Sequence, residues 1–581
     1  MGDIIGSVRK ARFFIDTILI GIIGAIAAQV FIFLIKLTEK FTLEKIAHFT
    51  PLDVIHIISH QPHSPINHIL LIAVITAGGL ISGFLVYTFA PESEGHGTDT
   101  AVRAFHRTGG YIRPIVTPIK IIASAITIGT GGSAGREGPT ALFSSGVGSI
   151  YAHLRNATLE ERRLFVLIGM ASGLSAVFRA PIGTAIFAIE VLYSDMDFES
   201  SALVYTMLGS LIAYILSGFL WGFTPIFYIQ HNISITSIDS YIYLTLLGIA
   251  SGFIAIILPV VFYSTRDFFH MIKIPPHFKP AIGAFGVGLI ALVFPEVLGG
   301  GYGWIQSAIN GQIATNILFY LVFAKIAAFS LTVSSGGSGG VFAPTLFVGA
   351  MLGSLFAALF HQPFAAFSII AMAAVFGAAA RAPLATVIMV SEMTGGYSLL
   401  APATLAVMIA YFLQSELTKK LNIKYSSLYE AQVPDKGFSP VHQINTLRNI
   451  LLCHTPILSM KPEIADDKKI LNLLESGIPI EIEDNKALFF GTVKNTLKLE
   501  KINTRSFYKT AEILYIFRNG KWLHPTQIVK LKKGDEALIY GDTKTINEIK
   551  DNFESISQTF SKLKLQTLKL KKHAQSGSIK K

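Results

Sequence analysis

Long apolar runs alternate with short polar breaks along the first three quarters of the chain. They cover Phe13–Ile35, Ile69–Ala90, Leu164–Val177, Leu203–Leu220, Leu244–Phe262, Ile282–Phe294, Ile317–Leu331, Val341–Phe360 and Leu399–Leu413. Several approach the roughly 20 residues that a helix needs to cross a bilayer. Two more, Thr140–Leu154 and Pro181–Leu192, are shorter and begin beside Gly or Pro. Such runs read as helices that start or stop inside a membrane. The pattern predicts an all-α polytopic membrane region with broken helices.

Composition agrees. Hydrophobic residues make up 51% of the chain and charged residues 15%, well below the roughly 25% charged of soluble domains. Phe13–Ile35 is too long for a cleavable signal and lacks a small-residue cleavage site after it. Arg9, Lys10 and Arg12 precede it, so the N-terminus is expected on the cytoplasmic side. The single cysteine, Cys453, excludes an internal disulfide.

The character of the sequence changes near 432–439, "QVPDKGFS". Beyond it "IPIEIED", "ALFFGTV", "AEILYIFRNG" and "EALIYGD" have strand-like content, with a hairpin turn expected at "RNGK" and another turn at Gly534–Asp535. "TKTINEIKDNFESI" reads as a short amphipathic helix. These features divide the chain into a membrane region, 1–435, a small cytoplasmic α/β domain, 436–560, and a Lys-rich tail, 561–581. The basic excess therefore belongs to cytoplasmic positions and a tail suited to water or anionic lipid headgroups, not to a nucleic-acid groove.

The membrane region repeats itself. "TGGSAGREGPT" at 130–140 aligns without gaps on "SGGSGGVFAPT" at 335–345, and "RAPIGTAIFAIE" at 179–190 on "RAPLATVIMVSE" at 381–392. Two motifs in the same order at nearly the same spacing indicate two homologous halves. Each copy of the first motif is a Gly-rich loop, a Pro and an apolar run, which is a loop feeding a helix. Glycines let backbone N–H groups face one point, and a helix N-terminus adds unpaired donors and a partial positive charge. The donors around Gly135, Arg136 and Gly138 thus suit an anion, and two such starts can share one ion without a full positive charge. Glu137 stands where the second copy has Phe342. A carboxylate beside those donors acts as a tethered plug, released by protonation.

"GSAGREGPT", "GGVFAP" and "GHGTD" at 95–99 together resemble the three signature segments of the CLC family of chloride channels and proton-coupled chloride antiporters, over residues 10–432. The resemblance implies an inverted-repeat, many-helix fold and a homodimer with one pore per subunit. It implies that Glu137 is the gate, that Val341 and Phe342 present amides to the central anion, and that Tyr429 offers it a hydroxyl. The first segment departs from the family's usual Gly-Ser-Gly-Ile-Pro: His96, Gly97 and Thr98 stand there, and a neutral His96 can donate one N–H while Thr98 offers a hydroxyl. A second departure is Val191, where many antiporters of the family have a second glutamate that relays protons. An apolar side chain carries no proton, so passive conduction is the expected mode and chloride/proton exchange the alternative. Glu190, one residue earlier, has a repeat partner in Glu392 and reads as a structural carboxylate at a helix end.

"RNGKWLHPTQIVKLKKGDEALIYGDTKTINEI" resembles the C-terminal subdomain of RCK (TrkA-C) regulatory domains, which implies a small ligand. A regulated cation channel is the rival this raises, but helix N-termini repel cations. No P-loop ending supports an enzyme, and no cofactor or metal is expected. The expected partners are chloride or another small anion, protons, lipid and a second copy of the chain, in a cell (inner) membrane with both termini cytoplasmic.

Overall fold

The structure is a computed structural model. It describes residues 2–52, 67–229, 233–235, 237–436, 439, 479–483, 486–494, 497–498, 506–508, 511–518, 521–523, 530–550 and 553–554. The chain forms two compact units, Met1–Pro434 and Asp435–Lys581. Cys453, the tail 561–581, Asn519–Gly520 of the expected hairpin turn, and the side chains of Arg9 and Lys10 lie outside the described residues.

The first unit is helical. Among the described residues its α-helices fall into two series of eight: α1 (Gly2–Glu39), α2 (His68–Phe89), α3 (Thr98–Arg107), α4 (Val116–Gly129), α5 (Glu137–Leu154), α6 (Leu159–Phe178), α7 (Pro181–Glu190) and α8 (Leu203–Trp221); then α9 (Ile238–Met271), α10 (Lys279–Ala291), α11 (Tyr302–Ile309), α12 (Thr315–Ser334), α13 (Phe342–Phe360), α14 (Phe364–Ala379), α15 (Pro383–Thr394) and α16 (Leu400–Lys420). Seven of them, α1, α2, α8, α9, α12, α13 and α16, are long and apolar enough to cross a membrane. Their outward side chains, such as Phe14, Ile26 and Phe33 on α1 or Ile69 and Phe84 on α2, are apolar and exposed. Helices that are apolar all round fit a lipid surround. By contrast α14 is buried along nearly its whole length, so it is a core helix. The expected Leu244–Phe262 run is part of the 34-residue α9, which continues through Pro259.

Local signals explain the helix starts. The Thr158 and Glu161 side chains form a capping box on α6, and the Asn67 side chain caps α2. Pro occupies the first position of both α7 and α15, where a missing N–H costs nothing. Short α3 and α11 each follow a glycine with positive φ, Gly97 at 88° and Gly301 at 76°, a conformation that glycine adopts readily. Both helices are too short to stand out by hydropathy, and α3 is polar as well.

The halves meet through backbone groups. α7 packs on α15, and each carries a carboxylate that caps the other. Glu190 accepts from the N–H groups of Leu384 and Ala385 at 3.1 and 2.7 Å. Glu392 accepts from those of Ile182 and Gly183 at 3.1 and 2.7 Å. Two buried lysines repeat the same logic on the loops. Lys120 donates to the carbonyls of Ser93 and Gly95 at 2.9 and 2.7 Å, and Lys325 to those of Val297 and Gly299 at 2.7 and 2.8 Å.

The second unit contains a seven-stranded antiparallel sheet. Its strands are β1 (Ile480–Glu483), β2 (Lys486–Val493), β4 (Ser506–Tyr508), β5 (Ala511–Arg518), β6 (Lys521–Leu523), β8 (Glu536–Asp542) and β9 (Phe553–Glu554), while β3 (Leu497–Lys498) and β7 (Lys530–Leu531) pair separately. The main path runs β1-β2-β8-β5-β4, with β6 on β5 and β9 on β2. Phe489, Ile513, Ile516, Ile539 and Phe553 belong to its core. Helix α17 (Thr543–Ile549) follows β8. The expected turn is present, with Gly534 at φ 89°. Asp535 accepts a fork from Arg518 at 2.8 and 2.6 Å, and these hydrogen bonds hold the guanidinium above its ordinary range.

Removing either reciprocal carboxylate strands two buried amides, each worth about 1–3 kcal/mol when unpaired. Glu190→Ala and Glu392→Ala are therefore expected to lower the temperature at which the purified protein loses its monodisperse size-exclusion peak. The corresponding Gln variants, which keep one acceptor, are expected to lose less.

Candidate functional site

The two Gly-rich loops cross at the starts of α5 and α13. Gly135 N–H donates to the Gly340 carbonyl and Gly340 N–H to that of Gly135, both at 2.7 Å. Gly95 N–H likewise donates to the Gly337 carbonyl at 3.2 Å, and Gly339 N–H returns to Gly95 at 3.3 Å. These bonds cross-link the halves, and they engage the Gly135 amide that was expected to face an anion. A Cβ at Gly135 would overlap Glu137 Oε2 and stand 3.0 Å from the Ala343 Cβ, so a larger residue there would have to displace the carboxylate.

Glu137 is the first residue of α5 and is 2% exposed. Its Oε2 accepts from Ala343 N–H, in the first turn of α13, at 3.4 Å, and its Oε1 accepts the hydroxyl of Tyr302. The carboxylate from one half thus sits on the helix start of the other, where unpaired donors and the helix dipole favour negative charge. The guanidinium of Arg136 stacks 4.5 Å from the centre of the Tyr302 ring, which places it behind the tyrosine.

A small cavity adjoins this carboxylate. Glu137, Gly138, Thr98, Phe342 and Tyr429 line it together with apolar side chains that include Phe187 and Met389. Among the described residues no lysine or arginine lines it. Thr98 and Tyr429 thus bring two hydroxyl-bearing side chains to one cavity. Phe342 packs its ring on Phe178 and Phe376, with centroids 4.7 and 4.3 Å apart, so its side chain forms a wall while its backbone opens α13. Val341 caps that helix and its carbonyl accepts from Thr345 N–H at 3.1 Å.

Other expected residues stand apart from the cavity. Gly97 turns the chain, so Thr98 reaches the cavity while the His96 ring does not line it. His96 Nε2 instead lies 3.2 Å from Asp99 Oδ2. Gly135, Arg136 and Val341 frame the site without lining it. Val191 is buried at the end of α7 and also does not line it.

Tyr302 is not among the residues expected from sequence. A signal for it exists: "PESEGHG" at 91–97 and "PEVLGGG" at 295–301 share Pro, Glu, Gly and Gly at one spacing, a third repeated motif. Tyr302 and Thr98 are the residues that follow each copy, and they reach the same site from opposite halves.

Residues 78–415 match the family described as voltage gated chloride channel. The chain belongs to this family. Among CLC relatives, the H(+)/Cl(−) exchange transporter ClcA of Salmonella agona is 31% identical over 355 residues, covering 58% of this chain and 74% of the relative. ClcA of Salmonella arizonae matches at the same identity and coverage. The CLC fold is also that of a slow cyanobacterial Cl−/H+ antiporter, with 22% identity, a TM-score of 0.62, and 71% of this chain and 96% of that one covered. A CLC-type fluoride/proton antiporter gives 21%, 0.61, 73% and 98% in the same terms.

Tyr302→Phe removes one of the two hydrogen bonds that hold the carboxylate. A bond to a charged acceptor is worth about 1.5–3 kcal/mol, so an anion competing for the α13 start is expected to bind roughly tenfold more tightly or better. Chloride titration calorimetry on the purified variant checks this.

Proposed function

We propose that the protein is a chloride (anion) transporter of a cell membrane that exchanges its anion for protons, with Glu137 as the gate. The observation that carries this reading is the position of the Glu137 carboxylate on the start of α13, beside a cavity whose walls hold no cation among the described residues. A tethered anion there excludes a free one. Protonation removes its charge, and the free anion takes over the helix donors. The same group then serves anion and proton in turn, which is the chemistry of exchange.

Passive conduction, the expectation raised by Val191, has less support. Relatives at 31% identity bear the name of exchange transporters, and a proton need not travel through residue 191 if another group carries it. The anion contacts of the gate-open state are assigned to the backbone at Phe342 and Ala343 and to the hydroxyls of Tyr429 and Thr98. The two eight-helix series are assigned inverted topology, two copies of the chain pair with one pore each, and both termini face the cytoplasm. The sheet of the second unit is assigned the RCK-like role of binding a small regulatory ligand.

The test places purified protein in liposomes under a chloride gradient, with external pH and chloride efflux recorded together. Protons driven uphill by chloride, and lost in Glu137→Gln, are expected. Chloride efflux above the leak of empty liposomes with no proton movement would instead establish a passive channel.

A further inference from the structure

We propose that His96 and Asp99 form a proton-binding pair that sets the anion affinity of the cavity, so that an anion and a proton bind together. The inference rests on the exchange reading and names a second proton site for it. His96 is 5% exposed, and its Nε2 faces Asp99 Oδ2, three residues on in the first turn of α3. The other ring nitrogen, Nδ1, is buried and has no hydrogen-bond partner among the described residues. Pairing with the carboxylate fixes the tautomer: the neutral ring carries its one hydrogen on Nε2 and leaves a lone pair on Nδ1. The neutral imidazole therefore has no N–H to spare for an anion, contrary to expectation from sequence. It has a vacant base.

Polar and charged groups from several elements border this base. Asp99 also accepts from Ala431 N–H at 3.1 Å and from the Tyr263 hydroxyl at 3.4 Å, so its carboxylate is held in place beside the ring. Among nearby charges, Arg103 lies one turn further along α3, and Lys120 of α4 is held by the carbonyls of Ser93 and Gly95. Arg266 of α9 is paired with Glu430 and stacked on Tyr263. Glu137 of α5 and Tyr429 both line the cavity, and the Tyr429 ring meets the imidazole. The Asp99 side chain is 14% exposed. The proton adds to Nδ1, Nε2–H stays on Asp99, and the pair gains one positive charge.

That charge reaches the cavity through a single aromatic ring. His96 stands edge-on to Tyr429 with centroids 5.4 Å apart, and Phe262 flanks it at 6.0 Å. Tyr429 in turn lines the cavity. In an apolar, low-dielectric setting a charge at this range acts strongly on an anion. By reciprocity the anion draws a proton onto His96 as much as the proton draws the anion in.

The test is chloride titration calorimetry on the full chain in the Glu137→Gln background, where the gate cannot supply the proton. It is run near pH 5.5 and near pH 8, about one unit or more either side of an ordinary histidine, in two buffers of different ionisation enthalpy. Chloride is expected to bind about tenfold more tightly on the acid side, with close to one proton taken up per chloride bound. Adding His96→Gln is expected to abolish both effects. Asp99→Asn, which keeps the imidazole, is expected to move the transition to lower pH, because the cationic ring loses its carboxylate. Unchanged proton uptake in His96→Gln, or an unshifted transition in Asp99→Asn, overturns the proposal. The liposome assay of the unmodified chain judges the exchange reading separately: chloride flux without protons there sinks exchange, whatever the calorimetry says about His96.

Discussion

A helix that begins inside an apolar medium exposes backbone N–H groups with no water to meet them. The architecture of the membrane unit follows from where acceptors for those groups are found. α7 and α15 start away from solvent, and each is met by a carboxylate from the end of the other. α13 also starts inside, and it is met by a carboxylate from α5. One chemical solution is used three times, twice as a strut and once, in the proposed reading, as a removable plug. The permanent cases are bidentate, at 3.1 and 2.7 Å. The removable one reaches α13 by a single long bond of 3.4 Å and shares itself with a tyrosine.

This difference separates the scaffold from the proposed gate. A carboxylate bound by two short amide bonds to a neighbouring helix is a strut. One that meets its helix by a single long bond, next to a cavity, is placed to compete with a free anion. Partial charges suffice for such competition, and they allow release as well as capture. The buried lysines act on the loops rather than on the cavity: each binds two backbone carbonyls and so shapes the turn that leads into α3 or α11.

Much of this was legible in the sequence. The long spans, the two halves and the Gly-rich helix starts follow from hydropathy and repetition, and Glu137 stood out as a charge in an apolar run. Glu190 and Glu392 were recognisable as a structural pair because they recur. Three features were hidden, each for a physical reason. Gly135 is spent on a partner loop some two hundred residues away, a contact that no local rule reveals. His96 turns toward Asp99 because Gly97 adopts positive φ, so Thr98 takes the cavity. Tyr302 belongs to a short helix whose repeat relation lies in spaced Pro, Glu and Gly rather than in a contiguous match. The strands of the second unit were visible as apolar β-rich runs because they form an ordinary amphipathic sheet.

The reciprocal capping of α7 and α15 also bears on the order in which the chain is made. When the first eight helices have left the ribosome, the start of α7 has no acceptor, Glu190 has no donor, and Gly135 has no partner for its amide. Every one of these partners lies in the half still to be synthesised. The first half therefore waits in the membrane as an incomplete object, with exposed polar groups that a second half must reach before others do. The same contacts that join the finished halves thus leave the first half with unmet polar groups for as long as the second takes to arrive.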